Sequence, residues 1–270
     1  MVIKVALIGT GRMGRLIAAR MMREDDLDVV AAFAEKGSGD VGLDVGLLAG
    51  VGELGVKVSS IEDLEGALAK SKPDVAVDFT IAKACCQNTG VLAGKGVNLI
   101  IGTTGFSDDE RKKLEDVIRD NGVGAVISPN MSIAVNVYWN IVKKAAGMLK
   151  DYDVEVVEAH HRFKKDAPSG TAMKTAGLIA EATGRKISDC GVYGRKGLCP
   201  RKEGEIGIHS IRAGDIVGDH TVYFGSVGEH LELTHRAHSR DAFVNGVILA
   251  VRFIDGKKGV YGMDDVLGLN

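Results

Sequence analysis

Residues 2–14 read VIKVALIGTGRMG, and the parsing of that run decides the fold. Val2 to Ile8 is apolar except for Lys4, the pattern of a strand covered on both faces in a parallel sheet. Gly9-Thr10-Gly11-Arg12-Met13-Gly14 follows at once, and Leu16, Ile17, Arg20 and Met21 continue as an amphipathic helix. Three glycines at this spacing give a tight turn, let the backbone approach a pyrophosphate, and let a helix pack closely on a strand. A second strand, Asp28 to Ala34, completes the structural context that this dinucleotide-binding turn requires.

The acid that grips an adenine ribose is expected about 20 residues past the last glycine, where Glu35 stands. Glu35 suits the ribose diol of NADH, and Lys36 beside it suits the 2′-phosphate of NADPH, so the pair predicts use of both cofactors. Residues 36–60 are glycine-rich, and an irregular excursion over the cofactor, or a mobile one, is expected there.

From Ile61 the pattern alternates. Ile61 to Lys70, Ala82 to Lys95 and Ser107 to Asn121 read as helices, and Val75 to Thr80, Asn98 to Ile101 and Gly124 to Ser128 as strands. This order predicts a Rossmann-type, doubly wound parallel α/β sheet. Such sheets bind ligands beyond the carboxyl ends of their strands. With Ile8 and the glycine turn, the candidate cofactor residues there are Thr80, Gly102, Thr103 and Thr104, and Ser128, Pro129, Asn130 and Met131, with Met131 placed against the nicotinamide ring.

After Ser132 the character changes. Ile133 to Leu149 is a long apolar helix, and Asp153 to His160, Glu205 to Arg212, Ile216 to Phe224 and Glu229 to His238 read as strands. They predict a second, α+β domain with a mixed or antiparallel sheet of at least four strands, helices on one face. Val222 and Phe224, or Leu231 and Leu233, are expected on the other face, against another copy of the chain. Asp241 to Ile254 is an apolar helix that returns to the first domain. The expected division is therefore 1–131 with 240–270 as a discontinuous dinucleotide-binding domain, and 132–239 for substrate binding and oligomerisation.

Chemistry concentrates in Glu155 to Ala172, EVVEAHHRFKKDAPSGTA. Its strand delivers His160 and His161 to one loop with Lys164, a cluster suited to an anionic substrate. Ser169, Gly170 and Thr171 then open a helix, where unpaired amides and the helix dipole favour a carboxylate. Alone, such residues are more often a plain cap; two histidines and a lysine beside them favour the anion site.

The net charge of −2 and balanced composition give no support for nucleic-acid or membrane partners. Four cysteines without a C-x-x-C pair read as buried free thiols in a reducing compartment, and the chain is expected to be cytoplasmic. All seven histidines lie in the second half, yet no ligand spacing accompanies them, so no metal site is expected.

Glu158-Ala159-His160-His161, Lys164, Asp166 and Pro168-Ser169-Gly170-Thr171-Ala172 together resemble the signature of the 4-hydroxy-tetrahydrodipicolinate (dihydrodipicolinate) reductases. The likeness extends to GTGRMG, Asp78-Phe79-Thr80, Gly102-Thr103-Thr104-Gly105, Asn130-Met131-Ser132, the run from Arg212 to Gly218, and Asp265-Val266-Leu267. It implies a homotetramer in which NADH or NADPH reduces a small cyclic imine dicarboxylate in diaminopimelate and lysine synthesis. By position it gives His160 as proton donor and acceptor, Lys164 as second proton donor, His161 as a substrate contact, and Gly170 and Thr171 as the carboxylate clamp. Two other readings remain: a non-catalytic dinucleotide sensor, which would keep the glycine turn but lose the proton donors that His160 and Lys164 supply here, and an oxidoreductase acting on another small diacid, which shares all these residues.

Overall fold

The computed structural model describes residues 2–269, which divide into two compact units, residues 2–133 with 243–269 and Ala134–Ala242. In the first unit β1 (Ile3–Ile8) leads through the glycine turn into α1 (Arg12–Met21) and then β2 (Leu27–Ala34). Helix α2 (Val45–Leu48) and strand β3 (Val58–Ser60) follow, then α3 (Leu64–Ser71), β4 (Val75–Asp78), α4 (Ala82–Gly94), β5 (Asn98–Ile101), α5 (Asp108–Asp120) and β6 (Gly124–Ile127). Among the described residues the sheet has seven strands in the order β12-β6-β5-β4-β1-β2-β3, all parallel, where β12 is Gly259–Tyr261. This is the Rossmann-type parallel sheet that the strand–helix alternation predicts.

Apolar residues on both faces explain why the strands sit centrally. Val5, Leu7, Val75 and Val77 pack on one side, with Val244, Val247 and Val251 of α9 (Asp241–Ile254). Ala6, Ile8, Ala76, Leu99 and Ile101 pack on the other against Leu92, Leu114 and Ile118. The closing α10 (Met263–Leu267) adds Met263 to the first cluster.

The excursion at 36–60 is ordered. Asp44 caps α2 by accepting from the amides of Gly46 and Leu47 and also from Leu54 at 2.9 Å, while β3 extends the sheet from β2. Glycine content gave no periodicity from which these two short elements could be read.

The second unit holds α6 (Ile133–Met148), β7 (Asp153–His160), α7 (Gly170–Ala182), α8 (Ile187–Cys190), β8 (Gly191–Tyr193), β9 (Ile206–Arg212), β10 (Gly218–Ser226) and β11 (Glu229–Ala237). Its mixed sheet runs β11-β10-β7-β9-β8, with β10 antiparallel to both neighbours and β7, β8 and β9 parallel. Residues of α6 and α7, among them Trp139, Val142, Ala176 and Ile179, bury one face of it. Val222 and Phe224 lie on that helix-covered face with no exposure, which corrects the expectation that they meet another copy. Alternation instead turns Glu155, Val157, Thr221 and Tyr223 to the other face, where none is fully buried. The cysteines also differ from expectation: Cys85 is buried, Cys86 and Cys190 are half-buried and Cys199 is exposed, because the last lies in an irregular segment of the surface.

Candidate active site

In the first unit Ile8, Gly9, Thr10, Gly11, Glu35 and Thr80 line one cleft of ≈340 Å³ at the carboxyl ends of β1, β2 and β4. Gly9 has φ +98° and sits under Thr80, and a Cβ on Gly14 would lie 2.0 Å from the Gly9 carbonyl oxygen. Gly14 therefore lets α1 pack against the turn, whereas Gly11 opens onto empty space. A tight turn, a bare backbone and a helix N-terminus at the rim of the cleft fit a dinucleotide pyrophosphate.

The structure adds Asp40 to this cleft. Its carboxylate accepts from Thr10 Oγ1 at 2.6 Å and from Arg15 at 2.9 Å, so the 36–60 segment is tied back onto the glycine turn. Thr10 and Arg15 hold the Asp40 carboxyl below the usual carboxylate range, against the opposing effect of burial. Lys36 is drawn to Glu62 at 2.9 Å and does not line the cleft, while Glu35 does. Arg12 and Met13 lie in the first turn of α1, Arg12 exposed and Met13 packed on the core.

Of the remaining cofactor candidates, Gly102 and Thr103 are organised with Thr80 by Asp78, which is 1% exposed. Its carboxylate accepts from Thr80 Oγ1 at 2.6 Å, Thr103 Oγ1 at 3.0 Å and Asn88 at 3.2 Å, and its carbonyl from the Gly102 amide at 3.0 Å. Thr103 is thus committed to shaping the turn, and Thr104 is the exposed member. Ser128 Oγ donates to the Asn130 carbonyl at 2.8 Å, with Pro129 exposed between them. Met131 does not offer its side chain to a ring: it is 2% exposed in the core, because α9 approaches so closely that a Cβ on Gly246 would lie 1.6 Å from the Met131 carbonyl oxygen.

In the second unit β7 ends in the chemistry predicted for it. His160 is 9% exposed and donates from Nδ1 to Glu158 Oε2 at 2.6 Å. Burial holds the His160 imidazole below its ordinary value, outweighing the opposite pull of Glu158, so the ring is neutral near pH 7. With its Nδ1 proton directed at a carboxylate, the neutral ring keeps Nε2 as the acceptor. Glu158 is fully buried; burial alone would raise its pKa, but Arg212, His160 and Ser210 together bring it down to about 2. Lys164 Nζ lies 2.9 Å from Asp166 Oδ1, and His161 is half-buried beside Phe163.

Ser169 takes the ordinary role of a cap. Its Oγ accepts from the Ala172 amide at 3.2 Å and pairs with His220 Nε2 at 3.1 Å, while its own amide donates to Glu158 Oε1 at 3.1 Å. The Ser169 amide and hydroxyl are thus used inside the protein, and Gly170 and Thr171 are the first residues of α7, where backbone amides lack intrahelical acceptors.

Sequence reasoning assigned no role to Asp40, Asp78, Glu158, Arg212 or His220. A signal existed for Glu158: it lies two residues before His160 and two after Val156, so a strand carries an acid and a histidine on its buried face. Arg212 is opposite His160 in the parallel register of β7 and β9, a pairing between segments more than fifty residues apart that periodicity does not report.

Both halves of the chain match one family profile. Residues 3–131 match the N-terminal part, and residues 134–267 the C-terminal part, of the dihydrodipicolinate reductase family profile. The chain belongs to the dihydrodipicolinate reductase family. It is 51% identical to the 4-hydroxy-tetrahydrodipicolinate reductase of Methanocaldococcus jannaschii, covering 99% of this chain and 98% of that one. The corresponding protein of Methanothermobacter thermautotrophicus is 50% identical, over 99% and 100% of the two chains. Among solved structures, a dipicolinate-bound dihydrodipicolinate reductase from Paenisporosarcina superposes with a TM-score of 0.78 at 29% identity, covering 99% of this chain and 100% of that one. An amine dehydrogenase from Mycobacterium smegmatis, 15% identical with a TM-score of 0.63, shares the fold, covering 97% of this chain and 95% of that one.

Proposed function

We propose that the chain reduces 4-hydroxy-tetrahydrodipicolinate to tetrahydrodipicolinate with NADH or NADPH, a step of diaminopimelate and lysine synthesis, and that it works in the cytoplasm. The observation that carries the reading is that His160, bonded to Glu158 at the end of β7, and Lys164, paired with Asp166, lie in the short segment that leads into the N-terminus of α7.

In this reading the first unit binds the dinucleotide through Ile8 and the glycine turn, with Glu35 at the ribose and the Asp78-organised turns and the 128–131 loop towards the nicotinamide. The reduced nicotinamide supplies hydride. The 4-hydroxyl leaves as water to give the conjugated imine, and the electron density that hydride then adds to that imine must be met by a proton, which Lys164 carries to donate. His160 Nε2 accepts a proton and returns it, with His161 beside the substrate. Gly170 and Thr171 hold one carboxylate by their backbone, and the cations of the loop face the other, so a dicarboxylate is doubly anchored. The net charge is −2, which gives no support for a nucleic-acid or anionic-membrane partner, and no helix among the described residues is long and apolar enough to cross a membrane. No group of His, Cys, Asp or Glu among the described residues is placed to hold a metal. The half-exposed face of the mixed sheet supports assembly of a homotetramer through that face, which light scattering would test against the 28.5 kDa chain.

The test is oxidation of NADH and of NADPH by the purified protein given enzymatically generated imine. Turnover with both cofactors is expected, with kcat/KM values within about a hundredfold, and His160→Ala and Lys164→Ala should each lower kcat by roughly 10²-fold or more. No turnover by the wild type would leave the sensor reading, and turnover only with another diacid would move the substrate assignment.

A further inference from the structure

The geometry assigns Glu158 and Arg212 as a positioning pair that fixes His160, the start of α7 and the Lys164 loop from a single buried anchor. The assignment rests on the proton-handling reading of His160 and Lys164, and it concerns a carboxylate that is fully buried and a guanidinium that is bonded to protein groups.

Four contacts of the Glu158 carboxylate reach three residues, His160, Ser169 and, twice, Arg212. Oε2 accepts from His160 Nδ1 at 2.6 Å and Arg212 Nη1 at 2.8 Å, and Oε1 accepts from the Ser169 amide at 3.1 Å and Arg212 Nη2 at 2.8 Å. Arg212 Nη2 also donates to the Asp166 carbonyl at 2.6 Å, and the Asp166 side chain holds Lys164 at 2.9 Å. One fork-to-fork ion pair therefore reaches the imidazole, the helix entry and the ammonium-bearing loop. Arg212 is the partner that keeps a fully buried carboxylate ionised.

An ionised carboxylate accepts only, so it admits one neutral tautomer of His160, with the proton on Nδ1 and the lone pair on Nε2. An amide in its place cannot reproduce this. In Glu158→Gln the single oxygen is demanded by the Ser169 amide and Arg212, which turns the NH₂ towards Nδ1 and favours the Nε2–H tautomer. That ring no longer accepts at the nitrogen the reading requires.

The test follows the ¹⁵N resonances of His160 in histidine-labelled full-length protein, together with steady-state kinetics. The wild type should show the Nδ1–H pattern, and Glu158→Gln should shift towards Nε2–H with kcat lowered about 10- to 100-fold and KM changed less than about threefold. Because Glu158→Gln strands the half-buried Arg212 guanidinium, Glu158→Gln/Arg212→Met is the control: relieving the stranded cation should recover much of the melting temperature without recovering kcat. Recovery of kcat in step with stability, or an unchanged tautomer with unchanged kcat in Glu158→Gln, would overturn the assignment. The tautomer is read without turnover, so failure of the catalytic reading and failure of this one are seen separately.

Discussion

His220 shows how a single residue links the site to acid stability. It is 4% exposed, opposite His235 in the β10–β11 register, and its ring meets His160 edge-on at 5.2 Å. Burial, with the charge of His160 adding to it, pushes its pKa down to about 3. A histidine whose folded pKa is depressed stabilises the fold fully above its unfolded value near 6.5 and loses that contribution as pH falls towards the folded value. The window here is therefore pH 6.5 down to about 3, with at most about 5 kcal/mol at stake if the whole shift is realised. His220→Gln keeps an Nε2-side partner for Ser169 but cannot titrate, and its melting temperature should fall less steeply across that window than the wild type's. Parallel melting curves for the two proteins would place the acid sensitivity elsewhere.

At the scale of elements, the two glycines of the turn after β1 separate packing from binding. The Gly14 position has no room for a Cβ against backbone, and Gly11 has nothing within 4 Å. Gly14→Ala should therefore cost about 1–3 kcal/mol through forced displacement of α1. Gly11 has φ −68°, which alanine adopts without strain, so Gly11→Ala should melt like the wild type and instead weaken NADH binding. Calorimetry with and without NADH separates the two effects; equal melting temperatures for both variants would refute the distinction. These roles were legible in the sequence because the motif fixes spacing and context together. The capping box at Ser107 and Glu110 was legible in part, since Ser107 marked the start of α5. By contrast α2, β3, β8 and β12 were not, each having only three or four residues, too few to display a period. The faces of β10 were misread for a related reason: alternation says which residues share a face, but only the helices decide which face is the core.

For the whole molecule, the chain's last thirty residues matter more to the first unit than their position suggests. The apolar character of α9 was plain from sequence, but its partners at the N-terminus were separated from it by more than two hundred residues. In the structure Val244, Val247, Ile248, Val251, Ile254 and Met263 are buried in the same cluster as Val5, Leu7 and Ile17, and β12 pairs with β6. Arg252 also reaches Asp26 at 2.7 Å, an ion pair with half-exposed partners. The two kinds of contact differ in weight. Six buried apolar side chains at about 1.5–3 kcal/mol each amount to roughly 9–18 kcal/mol, comparable with the whole stability of a domain, whereas an exposed pair contributes under about 1 kcal/mol. A chain ending at Arg240 should therefore lose the cooperative melting of the first unit and its NADH binding, while full-length Arg252→Ala should melt within a few degrees of the wild type. If the shortened chain still binds NADH with near-native affinity, the C-terminal helix is an accessory to this core and not a part of it.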